Sequence, residues 1–130
     1  MERRVLRAEV MKLAVSSQGD NLQSPLDPRF GRARYFIVVD TETGAFSAID
    51  NGVNLDAAQG AGIQAGKRVA ELGVEGLITG HVGPNAFSTL QAAGVTVHTG
   101  ASGTVADAVE QFKAGLLAAS AGADAAGSRA

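Results

Sequence analysis

Arg29, Arg32 and Arg34 cluster in one short stretch, and His81 lies in Gly80-His81-Val82-Gly83-Pro84-Asn85-Ala86-Phe87, shortly after the apolar run Leu77-Ile78. Guanidinium forks suit oxyanions, and an imidazole nitrogen can take a metal or a hydrogen bond. Gly83-Pro84 turns the chain into a segment with apolar residues at helical spacing, so this stretch reads as strand, loop, helix. Pro84 suits the first helical position, where its missing N–H is no loss. The first turn of such a helix leaves backbone N–H groups unpaired and aimed at the loop, which makes it a ready place for an anion. The chain has no cysteine. That excludes disulfides, thiolate ligands and a cysteine nucleophile, and leaves any metal to nitrogen or oxygen. His98, inside a strand, reads as structural, and Asp40 and Asp50 read as turn residues that close their strands.

These groups need a scaffold, and the pattern supplies one. Lys12 to Ser16 is a short strand running into turn formers, Ser17-Gln18-Gly19-Asp20-Asn21. The loop then reaches Arg34, and structureless loops beyond roughly 12 to 15 residues are uncommon in compact domains, so it reads as functional or disordered. Tyr35 to Asp40 is aromatic and β-branched without polar alternation, as in a strand covered on both faces. Thr41-Glu42-Thr43-Gly44 turns it into a third strand, Phe46 to Asn51. Ala61 to Leu72 places Ile63, Val69, Ala70 and Leu72 on one side of a helix, and its Gly62 and Gly66 suggest close packing against a sheet. Gly76 to Thr79 and Val95 to His98 are strands around a helix from Pro84 to Ala93, with the stripe Phe87, Leu90 and Ala93. Val105, Ala108, Val109, Phe112 and Leu116 make the last helix, capped by Thr104 with Asp107.

At 130 residues the chain holds one core. Residues 1–10 read as an N-terminal extension, with Met1 or Met11 as the start; 11–117 as the domain; 118–130 as a disordered tail. A net charge of -2 gives no reason to expect nucleic acid. No apolar run approaches the roughly 18 residues of a membrane span, and the first ten residues lack the apolar middle of a signal peptide. A cytoplasmic protein without nucleic-acid or membrane partners is expected.

The order βββαβαβα predicts an α/β fold: a mixed five-stranded sheet with helices packed on it, the fourth and fifth strands parallel to the first. Ligands of such sheets bind at the carboxyl ends of the strands. That edge would collect Ser16 and Ser17, the three arginines, Asn51 and Asn54, His81 with Gly83, and Ser102 with Thr104. Two helix N-termini and three arginines there suit an anion.

The motifs Phe30-Gly31-Arg32-Ala33 with Tyr35-Phe36, Asn51, Gly60 to Gly62, Gly80 to Phe87, Leu90, Ala93-Gly94-Val95 and Gly103-Thr104-Val105 resemble the dinitrogenase iron-molybdenum cofactor biosynthesis family, over about Met11 to Leu117. The resemblance implies a ribonuclease-H-like fold and a non-enzymatic carrier of the iron-molybdenum cofactor or an iron-sulfur precursor, with nitrogenase-assembly proteins as partners. Ser16, Arg29, Arg32, Arg34, Asn51, Gly83 and Asn85 are the expected cofactor-binding residues and His81 the expected metal ligand. Many relatives carry histidine just before the Phe-Gly-Arg-Ala turn, where this chain has Arg29. Nuclease chemistry needs clustered carboxylates, one in the first strand, and Lys12-Leu13-Ala14-Val15-Ser16 has none. The alternative is a binding module for another small anion, such as a phosphorylated metabolite.

Overall fold

Alternation along the strands divides the apolar residues between two faces, and the computed structural model, which describes residues 12–52, 61–117 and 119, shows both faces covered. The strands are β1 (Lys12–Ser17), β2 (Tyr35–Asp40), β3 (Phe46–Asp50), β4 (Gly76–Ile78) and β5 (Thr96–His98). They form one sheet in the order β3-β2-β1-β4-β5. Neighbours are antiparallel from β3 to β1 and parallel from β1 to β5. Helices among the described residues include α1 (Ala61–Ala70), α2 (Pro84–Ala92) and α3 (Val105–Lys113), and a 3-10 turn spans Phe30–Arg32.

Ala14, Phe36, Leu77 and Val97 point to one face, where they meet Ala65 and Val69 of α1 and Ala86, Phe87 and Leu90 of α2. Leu13, Val15, Ile37, Val39 and Ile78 point to the other, beneath Val105, Ala108 and Val109 of α3. Residues one apart on β1, β2 and β4 thus serve opposite layers. β2 is covered on both sides, as its unbroken apolar run predicts. The carboxyl ends of β1, β4 and β5 share one edge with the start of β2 and the end of β3, because Ser17 pairs Tyr35, Tyr35 pairs Asp50, and Ile78 pairs His98.

Several local expectations change. Gly62 and Gly66 are close to a helix, not the sheet: a Cβ on Gly66 would lie 3.3 Å from the Thr89 side chain, and one on Gly62 3.5 Å from Ala86. Small residues here let α1 and α2 approach. Ile63 leaves the core stripe and is only partly buried. Ala93 is the C-cap of α2 and exposed. α3 stops at Lys113, so Leu116 escapes the stripe and is 72% exposed. Asp40 is the expected turn residue: its Oδ1 accepts the N–H groups of Thr43 and Glu42, which hold its carboxyl below the ordinary 3.8. The proposed extension over 1–10 and Asn54 lie outside the described residues. Of the proposed tail only residue 119 is described, in an isolated antiparallel bridge with His98. No helix among the described residues is long and apolar enough to cross a membrane.

Candidate functional site

Two loops close against each other at the carboxyl-end edge. The His81 N–H donates to the Pro28 carbonyl at 2.7 Å, and the Phe30 N–H donates to the His81 carbonyl at 3.3 Å, a parallel bridge between Arg29 and His81. Beside this seam, residues Arg29, Phe30, Gly31, His81, Gly83, Pro84, Asn85 and Ala86, with Gly62 and Ile63 of α1, line an open pocket of about 530 Å³.

The donors there are well defined. α2 starts at Gly83 with no side-chain cap and with Pro84 next, and its first backbone bond runs from the Phe87 N–H to the Gly83 carbonyl. No acceptor among the described residues receives the Asn85 or Ala86 N–H, so both amides are available at the pocket wall. Arg29 adds a guanidinium with a side chain 69% exposed, and His81 is exposed beside it. Phe30, Ile63 and Pro84 make the rest of the wall apolar. Cationic and N–H donors set into an apolar surface suit an anion, because each donor competes with less water there.

Of the residues expected from sequence, Arg29, His81, Gly83 and Asn85 come together in this pocket. Ser16, Arg32, Arg34 and Asn51 do not line it. Ser16 is fully buried. Its hydroxyl donates to the Asp27 carbonyl at 2.7 Å and lies 2.8 Å from the Thr79 hydroxyl. Serine has one proton to give, so Thr79 is the donor in that second bond. Asn51 is 1% exposed and spends its amide on the Ala33 carbonyl at 2.7 Å, while its N–H donates to the Arg34 carbonyl. Arg34 lies over the Tyr35 ring and 3.9 Å from Asp50, towards the β3 side of the edge. Arg32 is exposed on the same 3-10 turn as Phe30.

The second helix start expected at this edge is occupied, which corrects the reading of Ser102 and Thr104. The Val105 and Ala106 N–H groups donate to the Ser24 and Leu22 carbonyls, and the Asp107 N–H to the Thr104 hydroxyl. In return the Thr104 N–H donates to the Asp107 carboxylate, completing the capping box, and Gln111 holds the Ser102 backbone. α3 therefore anchors the long loop. The buried polar side chains show what that loop requires. Ser16, Ser17, Ser24, Asp27, Asn51 and Thr79 are the buried polar residues among those described. Five bond directly within residues 19–33, and Thr79 acts through Ser16. The reading from sequence missed the apolar wall; the Gly60 to Gly62 motif was its signal, but that motif does not reveal that α1 crosses near α2.

A family model described as dinitrogenase iron-molybdenum cofactor matches residues 11–115. The chain belongs to this family. Among solved structures it is similar to the apo form of the orange protein from Desulfovibrio gigas, with 42% identity, a TM-score of 0.85, and 88% of this chain and 97% of that one covered. It is also similar to a candidate NifB protein from Thermotoga, with 40% identity, a TM-score of 0.73, and 84% and 92% covered. An uncharacterized protein of Methanocaldococcus jannaschii is 26% identical over 117 residues, 88% of this chain and 95% of that one. Family membership thus extends across both loops of the pocket.

Proposed function

We propose that this protein is a non-enzymatic carrier that holds an anionic metallocofactor, the iron-molybdenum cofactor or an iron-sulfur precursor, in the pocket between the Arg29 and His81 loops. The observation that carries this reading is the convergence of Arg29, His81 and the Asn85 and Ala86 amides of α2, which find no acceptor among the described residues, on one pocket, in a chain of the family named for that cofactor.

The donor set fits a preformed cluster better than a bare ion. Among the described residues no group of three or more His, Cys, Asp or Glu could hold a metal, and the chain has no cysteine. A cluster that brings its own sulfides needs little coordination from the protein. Its outer atoms accept hydrogen bonds from Arg29 and from the Asn85 and Ala86 amides, and one metal can take the His81 imidazole. The same reading takes the fold as ribonuclease-H-like without its nuclease: β1 contains no carboxylate to seat a divalent ion. Assembly proteins that deliver or receive the cofactor would be the partners, in the cytoplasm.

The test is anaerobic incubation with isolated iron-molybdenum cofactor, gel filtration, and elemental analysis of iron and molybdenum per chain. Stoichiometric metal is expected in the wild type. Arg29→Ala and His81→Ala should each weaken retention roughly tenfold, the size of a lost charge-assisted bond. Undiminished retention in both variants overturns the site. Because α2 with Arg29 would also suit a phosphate, bound phosphate without metal in the isolated protein would move the reading to a phosphorylated metabolite.

A further inference from the structure

Asp27 is a carboxylate at 4% exposure directly beneath the pocket's arginine. Removing a charge from water is costly unless partners replace the lost hydration. Its Oδ1 accepts the Arg29 N–H at 2.9 Å, and the Arg29 Nε lies 3.6 Å from the same oxygen. The backbone of Asp27 is itself held by β1: its N–H donates to the Ser16 carbonyl at 2.9 Å, and its carbonyl accepts the Ser16 hydroxyl. On its other side Pro28 accepts the His81 N–H and abuts Gly80. The carboxylate is therefore fixed to the sheet, while the arginine it touches is 69% exposed. An exposed arginine ordinarily samples many rotamers, and binding an anion must then order it.

We propose that Asp27 is a positioning residue: it holds Arg29 by the main-chain amide and by Nε, so that the outer guanidinium nitrogens are presented to the pocket in advance of a ligand. The ligand side rests on the carrier reading above; the tether does not. A simple turn role would need only the bond from the Arg29 N–H. Asp27→Asn separates the two roles, since its amide oxygen still accepts that bond but the charge facing Nε is gone.

The test has two arms. In nitrogen-15 NMR of the ligand-free protein, the Arg29 Nε–H resonance should be displaced from those of the other exposed arginines in the wild type, by the carboxylate 3.6 Å away, and should merge with them in Asp27→Asn. Arg29→Lys, which leaves Asp27 intact, keeps the charge but cannot reproduce the guanidinium fork. In the second arm, retention of isolated iron-molybdenum cofactor should fall by up to about fivefold in Asp27→Asn, the size of an exposed ion pair, and by a similar factor in Arg29→Lys. Adding Asp27→Asn to Arg29→Ala should change nothing more. An unaltered Nε–H resonance in Asp27→Asn overturns the tether, as does tighter cofactor binding by that variant, which would make Asp27 a repelling charge only. A tether seen in the wild type and lost in the variant, with no cofactor retained by either, upholds Asp27 and overturns the carrier reading.

Discussion

A Cβ on residue 80 would lie 2.7 to 2.8 Å from the Cα, Cβ and carbonyl oxygen of Pro28, closer than real contacts allow, and two of those three atoms are backbone. The absent side chain is what lets the Pro28 carbonyl reach the His81 N–H. Gly80→Ala should therefore cost about 1–3 kcal/mol in urea unfolding, as overpacking does. On the carrier reading proposed above, it should also weaken cofactor retention by separating Arg29 from His81. His98 makes a different single-residue prediction. Its ring stands edge-on to Phe112 at 4.9 Å, its Nδ1 is buried without a partner among the described residues, and burial pushes its pKa below 6.5. The unfolded chain then takes up the proton first as pH falls. The stability contributed by neutral His98 is full above 6.5 and is lost as pH drops through that value towards the lower folded pKa. The urea midpoint should fall between about pH 7.5 and about pH 5.5, and His98→Gln should flatten that part of the slope.

At the level of elements, α3 is both a core helix and the post to which the long loop is tied. Thr104→Ala removes the cap of the Asp107 N–H and should cost about 1 kcal/mol, measured by chemical denaturation. The loop's amides should then exchange faster with solvent, because Leu22 and Ser24 bond to the same helical turn. The same helix separates what sequence can reveal from what it cannot. Its capping box lies within four adjacent residues, and Thr104 with Asp107 announces it. The use of Val105 and Ala106 by Ser24 and Leu22 joins positions far apart in the chain, and no local pattern encodes it. That is why α3 read as a second anion site. The strands were legible because each carries its own alternation or apolar run, and the Gly80 to Phe87 junction because Gly, His and Pro punctuate it. Arg29 was legible as a candidate by type, but its place in the pocket apart from Arg32 and Arg34 was not. It depends on a 3-10 turn tied down by the buried Asn51. The α1 wall of the pocket was hidden for a similar reason: Ile63 fits a core stripe by periodicity, and only the approach of α1 to α2 turns it to the pocket.

Among the described residues, two apolar clusters are separated by one sheet, with neighbouring residues of β1, β2 and β4 contributing to opposite sides. Neither cluster can dissolve without loosening strands that the other requires, so the domain should unfold as a unit. The composition provides a clean probe of this. Tyr35 is the single tyrosine, there is no tryptophan, and Tyr35 packs against the α3-side cluster. Leu90, on the sheet-facing side of α2, is fully buried in the opposite cluster. Leu90→Ala should cost roughly 2–5 kcal/mol through lost burial and the cavity left behind. In urea titrations, Tyr35 fluorescence and far-ultraviolet circular dichroism should shift to a lower midpoint by the same amount, although the deletion lies on the far side of the sheet from the fluorophore. A Tyr35 transition left at the wild-type midpoint while the helical signal moved would mean that the α3 layer and its loop stay folded alone. The pocket, which needs α1 and α2 from one layer and the α3-anchored loop from the other, would then be assembled by docking two semi-independent halves.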